Sequence, residues 1–421
     1  MNDFQRNRGT CQIWLPTDES TLCYGEVTVT DEVVNVGYLP FVFKSKVLRD
    51  ECPILWGLDA LGNKFTLWNY DTNRNGDGTK VGAHGFAECL FAGAHIEADA
   101  INTCSRARIN SRTFDRFLNQ QIVSIEIEND QFRVIAERKK TICTLQSMGD
   151  LCLEISKEST WHHAFAEKRI TEDLFLTVFS ETGSGAPGMI ELLTYVDMVA
   201  GALQCQCSPR YGYKVDFVVN KLSVMNDVAI HPPVSSEPEA TRLRRPHAFA
   251  FNDLNVSVLE FLEVFLNRKS AFQIPLGIFE QYLNSEDRKL QNATAIHLLC
   301  KAIEALASRT GNEKDKLAQT LEGLVGPWLP CFGIQATDTA NYCKDLADTR
   351  HWFTHFRPKD GVRHARRSYD RSREYCLLLE MVFPVLLLSI AGIDHAVLSG
   401  HLVRNASALR AMFADAAGDG D

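Results

Sequence analysis

The sequence predicts an α+β multidomain protein, in which a β-rich, sandwich-like half is followed by an all-α helical bundle. Before about residue 230, apolar and polar residues alternate in short runs, whereas after residue 250 apolar residues recur every three or four positions. The stretch between them is rich in proline, serine and glutamate, as linkers are. We therefore assign residues 1–230 to a β-rich region, residues 231–249 to a linker and residues 250–415 to a helical domain.

The β-rich region is predicted from short β-branched and aromatic runs that are separated by turn residues. Val27 and Val29 alternate with threonines, as in a strand with one buried face. Residues 123–127 alternate in the same way, and the turn at Asn129–Asp130 predicts a β-hairpin. One helix is expected within this region, at residues 189–200. The glycine-rich loop before it lacks the Gly-Lys-Ser/Thr ending of a nucleotide-binding loop.

The helical domain is predicted from the spacing of its apolar residues. Proline cannot continue a helix, so the helix that contains residues 336–356 should end near Pro358. The predicted helices cover residues 254–266, 275–283, 292–306, 314–325, 336–356, 368–391 and 394–414.

Composition limits the classes of function. The formal net charge of −9 argues against a protein that coats nucleic acid over its whole surface, so any polyanion site must be local. The chain has 13 cysteines and no CxxC pair, which favours reduced, buried thiols in the cytoplasm over a zinc site. The amino terminus lacks an apolar signal segment, and the apolar run at 377–393 is interrupted by Glu380 and Pro384. We expect a cytoplasmic protein that has no membrane span, no bound metal and no cofactor.

Chemistry-bearing residues concentrate in the segment DTRHWFTHFRP, which holds Arg350, His351, His355 and Arg357. Arg350 and His355 are five positions apart, which places them about 140° apart around a straight helix. Either the helix end distorts before Pro358, or a second copy of the helix completes the site across a two-fold axis. The second alternative predicts a homodimer or a higher homo-oligomer.

An arginine and a histidine that converge on one phosphodiester can cleave RNA without a metal ion. RNA carries its own nucleophile, the 2′-OH. Histidine can take up that proton or protonate the leaving oxygen. Arginine can hold the phosphate and neutralise charge in the transition state. The products would be a 2′,3′-cyclic phosphate and a 5′-OH.

A local excess of positive charge surrounds this motif. Between Arg350 and Arg373 the only acidic residues are Asp360 and Asp370, so this is where an RNA backbone should bind. A solvated basic loop would show the same composition. His351 and His355 also form an HxxxH pair that could bind metal, but no third ligand is apparent. The candidate RNA-binding residues are Arg357, Lys359, Arg363, Arg366 and Arg367.

The carboxy-terminal region resembles a HEPN domain of the ApeA-like group, a helical bundle whose signature is arginine followed four to six residues later by histidine. Arg350 and His355 match that signature, and His351 occupies a slot where asparagine is commonest. The segment HLLCKAIEAL resembles the second core helix of the family and places Glu304 at its supporting acidic position. The resemblance thus implies a catalytic set of Arg350, His351, His355 and Glu304.

The amino-terminal half resembles the β-rich ApeA amino-terminal domain through GTCQIWLP, GEVTV and ILWGLDALGNKFTLWN. Together the two resemblances imply an abortive-infection protein of antiphage defence. In such a protein the β-rich half would sense a phage-derived trigger or restrain the helical half. Once the trigger has activated it, the helical half would cut RNA such as tRNA or mRNA.

Two other functions fit parts of the sequence. The first is a HEPN-type RNA-binding or scaffolding module that retains RNA without cutting it. The second is a carbohydrate-active β-domain that uses Glu126 and Glu128, although alternation with apolar residues is typical of the solvent face of a strand.

Overall fold

The computed structural model describes residues 9–29, 34–39, 54–72, 83–128, 131–148, 150–164, 167–206, 213–219, 222–230, 248–286, 292–355 and 361–418. The described residues divide into two compact units. The first draws on residues 1–112, 121–194 and 209–240, and the second on residues 113–120, 195–208 and 241–421. The expected linker, residues 231–249, lies outside the described residues except for its last two positions.

The first unit is β-rich, as the sequence predicts. Twelve of the described strands form one antiparallel sheet in the order β10-β11-β12-β7-β13-β14-β6-β3-β2-β1-β4-β5, and β8 pairs with β9 as the predicted hairpin. The strands are β1 Gly9–Leu15, β2 Asp18–Val29, β3 Val34–Leu39, β4 Leu55–Leu58, β5 Lys64–Thr72, β6 Ala83–Ala92, β7 Cys104–Asn110, β8 Val123–Glu128, β9 Gln131–Ala136, β10 Lys139–Met148, β11 Leu151–Ala164, β12 Glu167–Ser184, β13 Tyr213–Val219 and β14 Leu222–Ile230.

The sheet curls because β6 pairs with both β3 and β5. Strands β1 to β6 thereby close into a ring in the order β1-β2-β3-β6-β5-β4. The described strands therefore differ from the sandwich-like arrangement expected from the sequence, since closure replaces two facing sheets with one curled sheet. Apolar side chains fill the ring: Cys11, Ile13, Leu15, Cys23, Val27, Val34, Val36, Leu55, Phe65, Leu67, Tyr70, Ala87 and Leu90.

The second unit is helical, as the sequence predicts, and its helix α4 (Val258–Asn267) begins with a capping box. The Ser257 hydroxyl accepts a hydrogen bond from the backbone N–H of Glu260 at 3.2 Å, while the Glu260 carboxylate accepts from the Ser257 N–H at 2.9 Å. The α-helices among the described residues are α1 Ala98–Asn102, α2 Arg112–Leu118, α3 Ala186–Leu203, α4 Val258–Asn267, α5 Lys269–Glu286, α6 Asn292–Thr310, α7 Leu317–Leu324, α8 Thr339–His355, α9 Gly361–Ile390 and α10 His395–Gly418.

Among the described helices, α3 is the one with the length and apolar composition of a membrane span. Within the protein 72% of it is buried, as is usual for the core helix of a soluble protein. It corresponds to the helix predicted at residues 189–200.

Helix α6 lies at the centre of the helical unit, where it contacts α5, α8 and α9. Its apolar face is fully buried at Ile296, Leu299, Ile303 and Leu306, the three-and-four spacing seen in the sequence. Helix α8, which packs against α6, spans Thr339–His355. Residues 356–360 lie outside the described residues.

Candidate functional site

The packing of α6 against α8 joins two of the residues singled out from the sequence. Arg350 Nη2 donates a hydrogen bond to Glu304 Oε2 at 3.2 Å. The Arg350 side chain is 16% exposed and that of Glu304 is 37% exposed, so the pair lies at the edge of the helical core. The carboxylate that the family resemblance implies is therefore in direct contact with the arginine of the motif.

The guanidinium of Arg350 is only partly satisfied. Its Nε is buried and has no hydrogen-bond partner among the described residues. A buried donor without a partner costs free energy, about 1–3 kcal/mol, and such groups are uncommon in native proteins. Arg350 therefore retains hydrogen-bonding capacity beyond the contact with Glu304 that the described residues show.

A histidine that sequence reasoning missed lies beside this pair. His297 on α6 precedes Glu304 by seven positions, so the two residues lie about 20° apart around the helix. The His297 Nδ1 atom is 3.5 Å from Thr354 Oγ1 on α8. Thr354 Oγ1 in turn donates a hydrogen bond to the backbone carbonyl of Arg350 at 2.8 Å.

The surroundings of His297 favour the neutral imidazole. Burial lowers its pKa most, and the positive charges of Arg350 and Lys301 lower it further, while Glu304 acts in the opposite direction. The net effect is a pKa below the ordinary value for histidine, which is about 6.5. At neutral pH this side chain can therefore accept a proton.

Cys300 lies between His297 and Glu304 on α6. Cys300 is fully buried, and burial raises the pKa of its thiol far above the ordinary range. Since the thiolate is the nucleophilic form, Cys300 is an inert packing residue in this site.

The two histidines of the motif lie elsewhere on α8. His351 is exposed and follows Arg350 directly, about 100° further around the helix. His355 is the last residue of α8, and for it the structure describes the backbone alone. Because α8 is helical from Thr339 to His355, Arg350 and His355 lie about 140° apart around it, which leaves the second of the two alternatives, completion of the site by a second copy, as the one to propose.

The predicted basic residues follow α8. Arg357 and Lys359 lie outside the described residues. Arg363, Arg366 and Arg367 belong to the first two turns of α9, which begins at Gly361. Positions three and four apart on a helix are neighbours, so these backbone positions share one face.

A hydrogen-bond network fixes α9 against α8. Tyr375 donates to Asp345 Oδ2 at 2.7 Å, and Arg371 Nη1 lies 3.3 Å from the same oxygen. Tyr342 of α8 donates to Glu374 Oε1 of α9 at 3.1 Å. These contacts hold the helix that carries Arg350 beside the helix that carries the basic residues.

Comparison of the chain with family models, curated proteins and solved structures gives no match.

Proposed function

We propose that the protein is a metal-independent endoribonuclease of the HEPN type, centred on Arg350. The observation that carries the proposal is the state of this arginine. Its guanidinium is largely buried and pairs with one carboxylate, and its Nε is unpartnered among the described residues. His297 of α6 lies close to it in space, and His351 of α8 follows it in the sequence. Such a group suits the charge that develops on a phosphodiester during cleavage.

The proposed reaction uses the nucleophile that RNA itself supplies. The 2′-oxygen attacks the adjacent phosphorus, its proton passes to a histidine, and the bond from phosphorus to the 5′-oxygen breaks as that oxygen gains a proton. Arg350 binds the non-bridging oxygens and offsets their charge. Glu304 orients the guanidinium, and the basic residues after α8 bind the RNA backbone on either side.

The helical geometry of α8 favours an assembly of two copies. His355 and Arg350 of one chain lie far apart around the helix axis, so His355 would act beside the Arg350 of a second copy. We further propose a cytoplasmic role in antiphage defence, with RNA as the substrate and restraint by the β-rich half, on the strength of the ApeA-like resemblance.

The direct test compares Arg350→Ala and His355→Ala with wild type and with Arg309→Ala. Arg309 is an exposed arginine at the end of α6 and serves as the matched control. Total RNA incubated with each protein is separated on a denaturing gel. We expect a loss of cleavage of about 100-fold or more for the two site variants and none for the control. Equal cleavage by all four proteins would contradict the proposal.

The alternative is an RNA-binding module without turnover. The existing ion pair favours it, since Glu304 already neutralises part of the charge on Arg350. In that case wild type would retard RNA on a native gel and leave it intact on the denaturing gel, so the two gels together separate the functions.

A further inference from the structure

The face of α8 that carries Arg350 does not carry His355. Thr354 follows Arg350 by four positions, about 40° around the helix, and both residues contact side chains of α6. On α6, Glu304 and His297 present the matching face. The imidazole that shares a face with Arg350 within one chain is therefore His297, which the motif itself does not include.

The contacts of Thr354 favour one tautomer of His297. A threonine hydroxyl has one hydrogen, and the short 2.8 Å contact with the Arg350 carbonyl uses it. At 3.5 Å from His297 Nδ1, the Thr354 oxygen is therefore the acceptor and Nδ1 carries the hydrogen. In the neutral ring this leaves Nε2 without a proton.

We propose that His297 is the proton acceptor of this site, with Thr354 as the residue that orients its ring. This inference rests on the proposed ribonuclease function and names the group that starts the reaction. The 2′-OH proton moves to His297 Nε2 as the bond between the 2′-oxygen and phosphorus forms. The bond from phosphorus to the 5′-oxygen then breaks, and that oxygen takes a proton from a second imidazole, the role left for His355 of the second copy.

Three features support this assignment over simple helix packing. The ring is neither fully buried nor fully exposed, so it can be reached. Burial, followed by the positive charges of Arg350 and Lys301, lowers its pKa and so favours the neutral form that a base requires. Its Nδ1 faces the Thr354 hydroxyl, at 3.5 Å, on the helix that carries Arg350, which is the position of the orienting group in other histidine bases.

The discriminating variant is His297→Asn. The amide nitrogen of asparagine occupies the place of Nδ1 and can still donate to Thr354, but nothing replaces Nε2. If His297 only packs between the helices, His297→Asn should keep its cleavage activity. If His297 accepts the proton, the variant should lose it. His395→Asn is the matched control, because His395 is an exposed histidine at the start of α10 that packs on Trp328.

The substrate in the test is a single-stranded RNA that contains every dinucleotide step, and binding is measured with its 2′-O-methyl copy, which cannot react. We expect His297→Asn to cleave about 100-fold more slowly or worse while it binds the methylated copy as wild type does. The control should cleave normally. Free imidazole should restore part of the rate to His297→Ala and leave Arg350→Ala unchanged.

The outcomes separate the inference from the function on which it rests. If wild type cleaves in an Arg350-dependent manner and His297→Asn keeps pace with it, the inference alone is wrong. If His297→Asn loses affinity for the methylated RNA, or imidazole restores nothing to His297→Ala, His297 is a structural residue and the inference is again wrong. If wild type leaves the RNA intact, both the function and the inference fall.

Discussion

The two units of the protein each contain a carboxylate paired with a cation, and the two pairs are built differently. In the β-rich unit, Lys157 Nζ lies 3.1 Å from Glu172 Oε2, and the lysine side chain is only 4% exposed. The other oxygen of Glu172 accepts from the backbone N–H groups of Ile122 and Val123 at 3.0 and 2.6 Å. Each of these groups has a partner.

The Arg350–Glu304 pair of the helical unit is an open pair by comparison, in the sense that not all of its hydrogen-bonding groups have partners among the described residues. Its single hydrogen bond is longer, at 3.2 Å, Glu304 is 37% exposed, and Arg350 Nε lacks a partner among the described residues. A saturated pair stabilises a fold, whereas a pair with spare donors can also bind a ligand. This is the difference expected if Lys157–Glu172 stabilises the fold and if Arg350, as proposed, also binds RNA.

Removal of the saturated pair should have the largest effect on stability. Glu172→Ala removes the carboxylate that pairs with the buried Lys157 ammonium and that accepts from two backbone N–H groups, so we expect a loss of about 3 kcal/mol in the free energy of unfolding. Urea denaturation followed by circular dichroism measures it. Glu154→Ala is the control on the same sheet, since its partner Lys139 is 49% exposed and such pairs contribute about 1 kcal/mol or less. Equal losses of unfolding free energy in the two variants would contradict the structural role of the Lys157–Glu172 pair.

Removal of the open pair should affect activity more than stability. Glu304→Gln keeps the size of the side chain but loses the charge that orients Arg350, so we expect RNA cleavage to fall by about 10-fold, as for other orienting partners. The free energy of unfolding should change by about 1 kcal/mol or less. A stability loss as large as that of Glu172→Ala, with cleavage intact, would make this pair structural too.

Acid should remove the stabilisation that the Lys157–Glu172 pair provides. Burial raises the pKa of Glu172, but the hydrogen bonds from Lys157 and from the Ile122 and Val123 N–H groups lower it by more, so the net pKa is below the ordinary value. A depressed carboxyl pKa contributes stability that is present above about pH 4.3 and is lost as pH falls through the folded-state pKa. Wild type should therefore lose more stability than Glu172→Gln between about pH 5 and pH 3, as measured by denaturation across that range. Parallel losses would contradict the assignment.

The smallest expected effect is a change in the titration of His297. Since the charge of Arg350 lowers the pKa of this histidine, Arg350→Ala should raise it. Burial is the larger cause, so the pKa should stay below the ordinary value. The imidazole Cε1–H resonance in NMR spectra follows the titration, and Arg309→Ala should leave it unchanged. If the pKa of His297 is the same in wild type and in Arg350→Ala, the two side chains lie further apart than the structure shows.

The sequence predicts the local part of the site and misses its tertiary part. Arg350 stands out because a guanidinium, two imidazoles and a basic excess occupy one short segment, and Glu304 came from the family resemblance. His297 gives no such signal, since a histidine in an apolar helix usually packs in a core. Only the pairing of α6 with α8 brings it beside Thr354. Its seven-residue spacing from Glu304, two turns along one helix face, was the available clue.

The fold shows the same division between local and long-range information. Alternation and helical spacing predict most strands and helices, but the pairing of β5 with β6 that closes the ring depends on contacts that local patterns do not encode. The helical unit also includes residues far from its main segment. Phe117 of α2 packs against Phe261 at 5.3 Å between ring centroids, and Tyr195 of α3 donates to the Phe265 carbonyl at 2.7 Å. A truncation near residue 245 would remove both contacts.

The central claim is that Arg350 and histidine cut RNA through its own 2′-OH, and the chemistry of the cut ends tests it most directly. RNA is incubated with wild-type protein or Arg350→Ala in the presence of a metal chelator, and the new ends are identified. We predict 2′,3′-cyclic phosphate and 5′-OH ends from wild type and intact RNA from the variant. Ends that carry a 3′-OH and a 5′-phosphate, or cleavage that survives Arg350→Ala, would contradict the account.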